Sequence, residues 1–383
     1  MVVSLVLADL IAALEEHYPP HLAESWDSVG LVCGDPQQSV STVLACVDVT
    51  DAVVDTAVRG GVELIVAHHP LLLRGVDTVG AHTPKGLLIH RLIRAGCALY
   101  TAHTNADRAR PGVSDALAQA LGVTDTVPMQ PVAGPARDSW TVLVPVGSTD
   151  SVTAAMFAAG AGAIGDYTEC CWRVTGSGQF RPGSGASPAI GSVGSLEQVA
   201  EDRVQMVAPR QLRSAVHAAL LAAHPYEEVA FDLVELAAVP TGLGLGRIGR
   251  LESPMSLRDF TTHVAHRLRV APWGVRAAGD PDQIVSTVAV CGGAGDSLLD
   301  TVRAVGADVY VTADLRHHPV DEHLRRGGPA VVDAGHWATE FPWCAQVARV
   351  IEGLADDLRV SMFATPTDPF TVHAPAGHHV SDR

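Results

Sequence analysis

Two adjacent histidines, His68 and His69, directly follow the apolar run Val62 to Ala67, and two further histidines stand four residues ahead of a carboxylate, His103 before Asp107 and His336 before Glu340. Imidazole and carboxylate suit divalent zinc, iron or manganese. Several such groups converging from different strands can hold two ions, and a carboxylate near the centre can bridge them. Taken singly, each His-x-x-x-carboxylate reads equally well as a hydrogen bond at a helix start, and a His-His pair as capping or packing. Placement favours chemistry, because each group follows an apolar run that reads as a buried strand, and open α/β sheets collect their ligands at the carboxyl ends of strands.

The elements that must position these residues alternate. Leu10 to Leu22 has helical spacing, Thr42 to Asp48 reads as a buried strand, Asp51 to Arg59 as a helix and Val62 to Ala67 as a second strand. Thr83 to Ala95 (helix), Ala98 to Ala102 (strand) and Val113 to Leu121 (helix) continue the alternation, which marks βαβ layering. After residue 245 the pattern resumes, with strands at Val285 to Val290, Asp308 to Thr312 and Ala330 to Asp333 and a helix at Ser297 to Val305. Setting Asp55-Thr56 over Asp300-Thr301 places Gly61 over Gly306, Glu63 over Asp308 and Val66 over Val311 at a single offset of 245 residues. Two related α/β halves follow from that echo, unless two unrelated βαβ units match by chance.

Between the halves the pattern breaks. Pro128 to Pro135 is proline-rich and aperiodic, and Gly242, Gly244, Gly246 and Gly249 suggest a flexible return. Within these bounds the order is strand (Trp140 to Val146), helix (Asp150 to Ala159), a strand pair, a further strand (Val204 to Val207), helix (Arg210 to Ala223) and strand (Ala230 to Leu236), which is ferredoxin-like. The expected organisation is a discontinuous α/β core from 1–128 and 245–370, an α+β insert over 136–240, and a disordered tail at 371–383.

Length alone points to two or three domains. Hydrophobic residues make up 47% and charged residues 18% of the 383, an ordinary globular profile. No apolar run approaches the roughly 20 residues of a membrane span, and Met1 to Leu14, which carries Asp9, reads as a retained first helix rather than a leader. Seven scattered cysteines without a C-x-x-C suit a reducing cytoplasm. A net charge of −16 argues against a nucleic-acid partner, but leaves room for a small anionic substrate held at a metal.

Weaker clusters carry less. His317-His318 with Asp314 and His323 lies in a basic stretch that reads as an exposed loop beside the ligands, His378-His379 falls in the tail, and Cys170-Cys171 is placed in mid-strand as packed thiols.

The order of the motifs resembles the Ngg-one interacting factor three-like family over nearly the full length. The resemblance rests on ESWDSVGLVCGDP (Glu24 to Pro36), VAHHPLLLRG (Val66 to Gly75), TAHTNAD (Thr101 to Asp107), VTADLRHHP (Val311 to Pro319) and AGHWATE (Ala334 to Glu340). In the insert, GSGQFRPGSGASPAIGSVG (Gly176 to Gly194) and AAHPYEEVAFDLVEL (Ala222 to Leu236) resemble the PII-like or CutA-like domain of longer members.

By that resemblance the metal ligands are His68, His69, Asp107, His336 and Glu340, with His68 and Asp107 on one ion, His69 and His336 on the other, and Glu340 bridging. The repeat argument would make His103 a ligand; the resemblance does not count it among them, which leaves it beside the ions, where it could orient a carboxylate or act as the proton carrier. The resemblance also implies a toroidal homohexamer with two divalent ions per subunit. Bacterial members are called GTP cyclohydrolase 1 type 2 homologues, which implies a metal-dependent hydrolase acting on a small nucleotide or phosphorylated substrate. The competing expectation is non-catalytic: a metal-storage protein, metallochaperone or regulatory scaffold.

Overall fold

The computed structural model describes residues 5–355 and 357–374, so His378, His379 and most of the expected tail lie outside the described residues. The chain divides into two compact units, 1–132 with 242–383, and 133–241. Eleven α-helices and several sheets make a mixed α/β protein among the described residues. No helix among them is long and apolar enough to cross a membrane.

The first part of the larger unit runs β1 (Leu5–Val6), α1 (Leu7–His17), β2 (Gly30–Cys33), β3 (Ser39–Val40), β4 (Thr42–Cys46), α2 (Asp51–Gly60), β5 (Leu64–Ala67), α3 (Pro84–Arg94), β6 (Ala98–Thr101), α4 (Thr104–Arg108), α5 (Val113–Leu121) and β7 (Val123–Ala133). β4, β5 and β6 are parallel neighbours, the arrangement that helical crossovers produce. All four residues of β5 are buried because both faces of the sheet are covered: Leu64 and Val66 enter one core cluster, Ile65 and Ala67 another, in strict alternation.

The smaller unit carries β8 (Arg137–Pro145), α6 (Thr149–Ala158), β9 (Trp172–Phe180), β10 (Glu197–Pro209), α7 (Arg213–Ala223) and β11 (Phe231–Glu235), in the sheet order β11-β8-β10-β9. Trp140, Val142 and Val144 alternate inward from β8 onto Val152 and Met156 of α6 and Val216 and Leu220 of α7. Asp138, with no exposed side-chain surface, is gripped by both Nε and Nη2 of Arg213 at 2.7 and 2.8 Å. Cys170 and Cys171 precede β9 rather than sitting within a strand, and Cys171 is exposed.

The chain then continues through β12 (Pro240–Ser256), α8 (Leu257–Arg267), β13 (Arg276–Ala278), β14 (Ile284–Ala294), α9 (Leu299–Val305), β15 (Val309–Ala313), α10 (His317–Arg325), β16 (Ala330–Asp333), α11 (His336–Glu352) and β17 (Arg359–Met362). β14, β15 and β16 are parallel neighbours like their counterparts, and β17 joins the first sheet beside β4. The echo extends to hydrogen bonds. Glu63 accepts from the backbone N–H groups of Ser41 and Thr42 at 2.7 and 3.1 Å, and Asp308, 245 residues on, does the same for Ser286 and Thr287 at 2.9 and 2.7 Å. Gln38 and Gln283, at the same offset, each donate to the backbone carbonyl of that acid. Gly61 and Gly306 both end a helix in the left-handed conformation.

Two expectations are corrected here. The proline and glycine clusters at 128–135 and 242–249 are largely β7 and β12, which are paired strands and not loops. The glycines are needed because the strands approach closely: a Cβ at Gly244 would meet Gln130 O at 2.2 Å, and one at Gly249 would meet Thr124 O at 2.3 Å. His317 and His318 begin helix α10 and are exposed, instead of lying in a loop; His323, on the same helix, is buried and bonds Pro329 O at 3.0 Å.

Candidate metal centre

The strand ends deliver the groups. His68 and His69 follow β5 and are fixed by their own N–H groups, which donate to Cys46 O and Val47 O at 3.0 and 2.8 Å. Asp107 comes one turn into α4, after β6. His336 opens α11, and Glu340 follows four residues later on the same face, the spacing that brings helical side chains together. α11 is anchored by Trp343, Cys344, Val347 and Ile351, which join the core cluster holding Val43, Leu64 and Tyr100.

Glu340 stands at the centre. Its Oε1 lies 3.1 Å from His336 Nε2 and 3.5 Å from His68 Nε2, and its Oε2 lies 3.0 Å from His69 Nε2. Asp107 Oδ1 is 3.8 Å from His68 Nε2. Ligand atoms of His69, His336 and Glu340 lie within 4.8 Å of one another, and so do those of His68, His69 and His103; Asp107 falls in neither group. The structure therefore brings the five expected ligands to one place, with Asp107 at its edge, and adds His103.

Each imidazole is held from behind. Nδ1 of His68 bonds Ala102 O at 2.9 Å, that of His69 bonds Asp48 Oδ1 at 2.7 Å, that of His336 bonds Asp314 Oδ2 at 2.7 Å, and that of His103 bonds Asp27 Oδ1 at 2.8 Å. A carbonyl or carboxylate oxygen has no proton to give, so the ring proton sits on Nδ1 and Nε2 is left to face inward, the outer bonding that orients metal-binding histidines. His68 Nε2 is buried without a hydrogen-bond partner among the described residues, and Glu340 Oε2 is buried with His69 Nε2 3.0 Å away. Lone pairs facing one another at this range repel unless a cation stands between them. The donor set fits divalent ions on that ground.

Protons take part of that role when the centre holds no ion. Burial pulls the His69 imidazolium down, but Glu340 and Asp48 outweigh it and hold the group at about 11. His336 is likewise lowered by burial and raised more by Glu340 and Asp314, to about 9. Burial pushes the Glu340 carboxyl up, yet His69, His336 and His68 hold it well below the usual carboxylate range. At Asp107 burial prevails, and its carboxyl is raised.

A pH dependence follows. An ion needs neutral Nε2, so at pH 7 its binding displaces the protons of both His69 and His336, and affinity falls as pH drops below about 11 and more steeply below about 9. Two displaced protons correspond to about a hundredfold loss per pH unit. Calorimetric zinc titrations in buffers of differing ionisation heat should report close to two protons released; a release near zero would contradict the protonated centre.

Several residues at the site are not apparent from spacing. Asp48, Asp314 and Asp27 anchor imidazoles from positions distant in the chain, and Asp314 does so from a left-handed backbone at φ 55°. Gly293 is required where it stands, since a Cβ there would meet Glu340 Oε1 at 2.3 Å. The Cys-Gly-Gly-Ala-Gly run at Cys291 to Gly295, just past an apolar strand, was the available signal. The expected equivalence of His103 and His336 is off by one. Pairing of β6 with β5 and of β16 with β15 sets Thr101 against Asp333, so His336 corresponds to Thr104, and His103 precedes its helix while His336 begins one.

A family model described as Duf34/NIF3 (NGG1p interacting factor 3) matches residues 5–369. The GTP cyclohydrolase 1 type 2 homolog of Mycobacterium tuberculosis is 57% identical over 376 residues, covering 98% of this chain and 99% of its own. The Bacillus subtilis protein of the same name is 38% identical over 366 residues, 94% of this chain and 97% of its own. Among solved structures, a Bacillus cereus protein related to NIF3 aligns with a TM-score of 0.68 at 35% identity over 97% of this chain and 100% of its own. A Staphylococcus aureus protein aligns with a TM-score of 0.78 at 26% identity over 97% and 99%.

Proposed function

The chain belongs to the Duf34/NIF3 family, and from that premise we propose that it is a dinuclear metal-dependent hydrolase whose ions are held by His68, His69, Asp107, His336 and Glu340. The observation that carries this reading is the set of inward Nε2 atoms around a buried Glu340, each imidazole pinned at Nδ1. Two divalent ions there, zinc, iron or manganese, would supply Lewis acidity and a lowered pKa for water. The hydrolytic assignment is drawn from the names of the M. tuberculosis and B. subtilis relatives.

His103 is the proton carrier in this reading. Its Nδ1 is committed to Asp27, whose side chain has no exposed surface. Burial pushes the Asp27 carboxyl up, but bonds from His103, Thr104 and the Ser28 N–H outweigh it and keep it ionised, well below the ordinary range. A fixed carboxylate behind an imidazole holds one tautomer and stabilises the imidazolium. Nε2 of His103 accepts a proton from water and returns it to the leaving group. The insert is read as PII- or CutA-like on its β-α-β-β-α-β order, and the subunits as a homohexamer on family resemblance; light scattering at the chain mass of 40.0 kDa would refute the latter.

The test is turnover of a nucleotide and phosphoester panel by zinc-, manganese- and iron-loaded protein. Chelation should abolish product formation. His103→Gln should keep its ions while kcat falls by about 10²-fold or more. Protein that binds two ions and turns over nothing would favour a storage or scaffold role.

A further inference from the structure

A cavity of about 800 Å³ opens beside His69 and His336, within the range of small-molecule sites. Its walls include Trp273, Trp337, Phe370 and Leu315 together with the carboxylates of Asp48, Asp314, Asp333 and Asp368. Phe370 is 71% exposed, a free aromatic face on the C-terminal segment that crosses this side of the core. That segment is tied down by Thr367, which donates to Asp48, the residue anchoring His69.

Carboxylates outnumber basic groups in the walls. Arg276 is the one Arg or Lys side chain lining the cavity among the described residues, and its Nε and Nη2 are engaged: Nη2 donates to Asp333 at 2.7 Å and to Leu315 O at 3.0 Å, while Nε donates to Asp333 at 3.2 Å; the other basic groups in the wall are His69 and His336. Asp48 and Asp314 are matched by His69 and His336. Asp368 has no cationic partner among the described residues; one of its oxygens accepts from the Phe370 N–H at 2.9 Å. A polyphosphate needs several free Arg, Lys or backbone N–H donors. This wall provides acceptors instead.

The aromatic and acidic features meet at one point. Gly335, the residue before His336, has φ 89°; a Cβ there would lie 3.0 Å from Trp273 Cζ2 and 3.8 Å from Asp368 Oδ2. The indole and the free carboxylate thus flank the same spot next to a proposed ligand. Resting on the hydrolase reading above, we infer that the site takes a flat, amino-bearing heteroaromatic compound, a base or nucleoside without a polyphosphate chain, stacked against Trp273 and Phe370 and donating N–H groups to Asp368. Stacking uses the faces of the ring and the acid reads its edge.

The experiment measures equilibrium binding of guanosine, adenine, GTP and inorganic triphosphate to the full chain, once with zinc bound and once with zinc removed by chelator. Guanosine and adenine should bind in both states. GTP and triphosphate should gain binding only with zinc, and GTP should stay at least about tenfold weaker than guanosine in its absence. Trp273→Ala and Asp368→Asn should each weaken guanosine by about tenfold while zinc content is unchanged. Phe370→Ala, at an exposed position with little to lose in folding, should act in the same direction. Tighter binding of GTP than guanosine without zinc, or guanosine binding indifferent to all three substitutions, would overturn the inference. Loss of zinc binding in the parent would instead fault the metal centre, and is read separately.

Discussion

Glu340→Gln is expected to empty both metal positions together, weakening each by more than about 100-fold, the upper range for residues that only support ligands. One of its oxygens faces histidines from both sheets, His336 at 3.1 Å and His68 at 3.5 Å, and the other faces His69 at 3.0 Å. No other side chain at the centre has two ligand atoms so placed. Gln keeps the shape, but replaces one oxygen with an NH2 group and removes the charge that would offset the two divalent cations of the proposed centre. His69→Ala should behave differently, depleting chiefly one ion and leaving the other with His68, Asp107 and Glu340. Metal stoichiometry after dialysis against a mild chelator, with circular dichroism to show that each variant is folded, separates these outcomes. If Glu340→Gln retains two ions as tightly as the parent, the bridge must be sought elsewhere.

Much of this centre was legible because local physics places it. His68-His69 could be read as strand-end groups since Leu64 to Ala67 is apolar at every position, which a strand covered on both faces demands. Glu340 followed from the four-residue helical spacing to His336. The anchors were not legible, and the reason is distance along the chain. Asp48 precedes His69 by 21 residues, Asp314 precedes His336 by 22, and Asp27 precedes His103 by 76. Nothing in the types or spacing of Asp48 and Asp27 separates them from surface carboxylates, and Asp314 stood out only as a neighbour of His317 and His318, not as the anchor of His336. β7 and β12 were misread as loops for a related reason: proline and glycine signal turns when judged alone, whereas here glycine makes room for a neighbouring strand.

The two halves show how a repeat can diverge at its site while keeping its frame. The frame contacts survive as Glu63 with Asp308 and Gln38 with Gln283, all serving backbone groups. At the strand end the same 245-residue offset pairs His69 with Asp314. One half contributes the imidazole at that position; the other contributes the carboxylate that orients His336. Symmetry therefore predicts where chemistry sits more reliably than which residue performs it.

Arg247→Met should destabilise the larger unit by about 3–5 kcal/mol, the cost of breaking a buried ion pair from one side. Arg247 lies in β12 with no exposed surface. Its Nε and Nη2 each reach an oxygen of Asp115 at 2.8 Å, and the same guanidinium donates to Gly244 O, Gly246 O and Ala109 O at 2.7, 2.8 and 2.6 Å. Methionine fills much of the volume, but leaves a mostly buried carboxylate and three carbonyls without their donor. Asp115 also accepts from Gly112 N at 2.8 Å at the start of α5, so the loss falls where that helix begins, a few residues beyond Asp107. The charge left behind supplies most of the penalty, so adding Asp115→Leu to Arg247→Met should recover part of it. Scanning calorimetry should show the main transition several degrees lower in the single variant and partly restored in the double, at about 2–4 °C per kcal/mol. A single variant within about 1 °C of the parent would mean that this buried guanidinium is not what joins β12 to the first half.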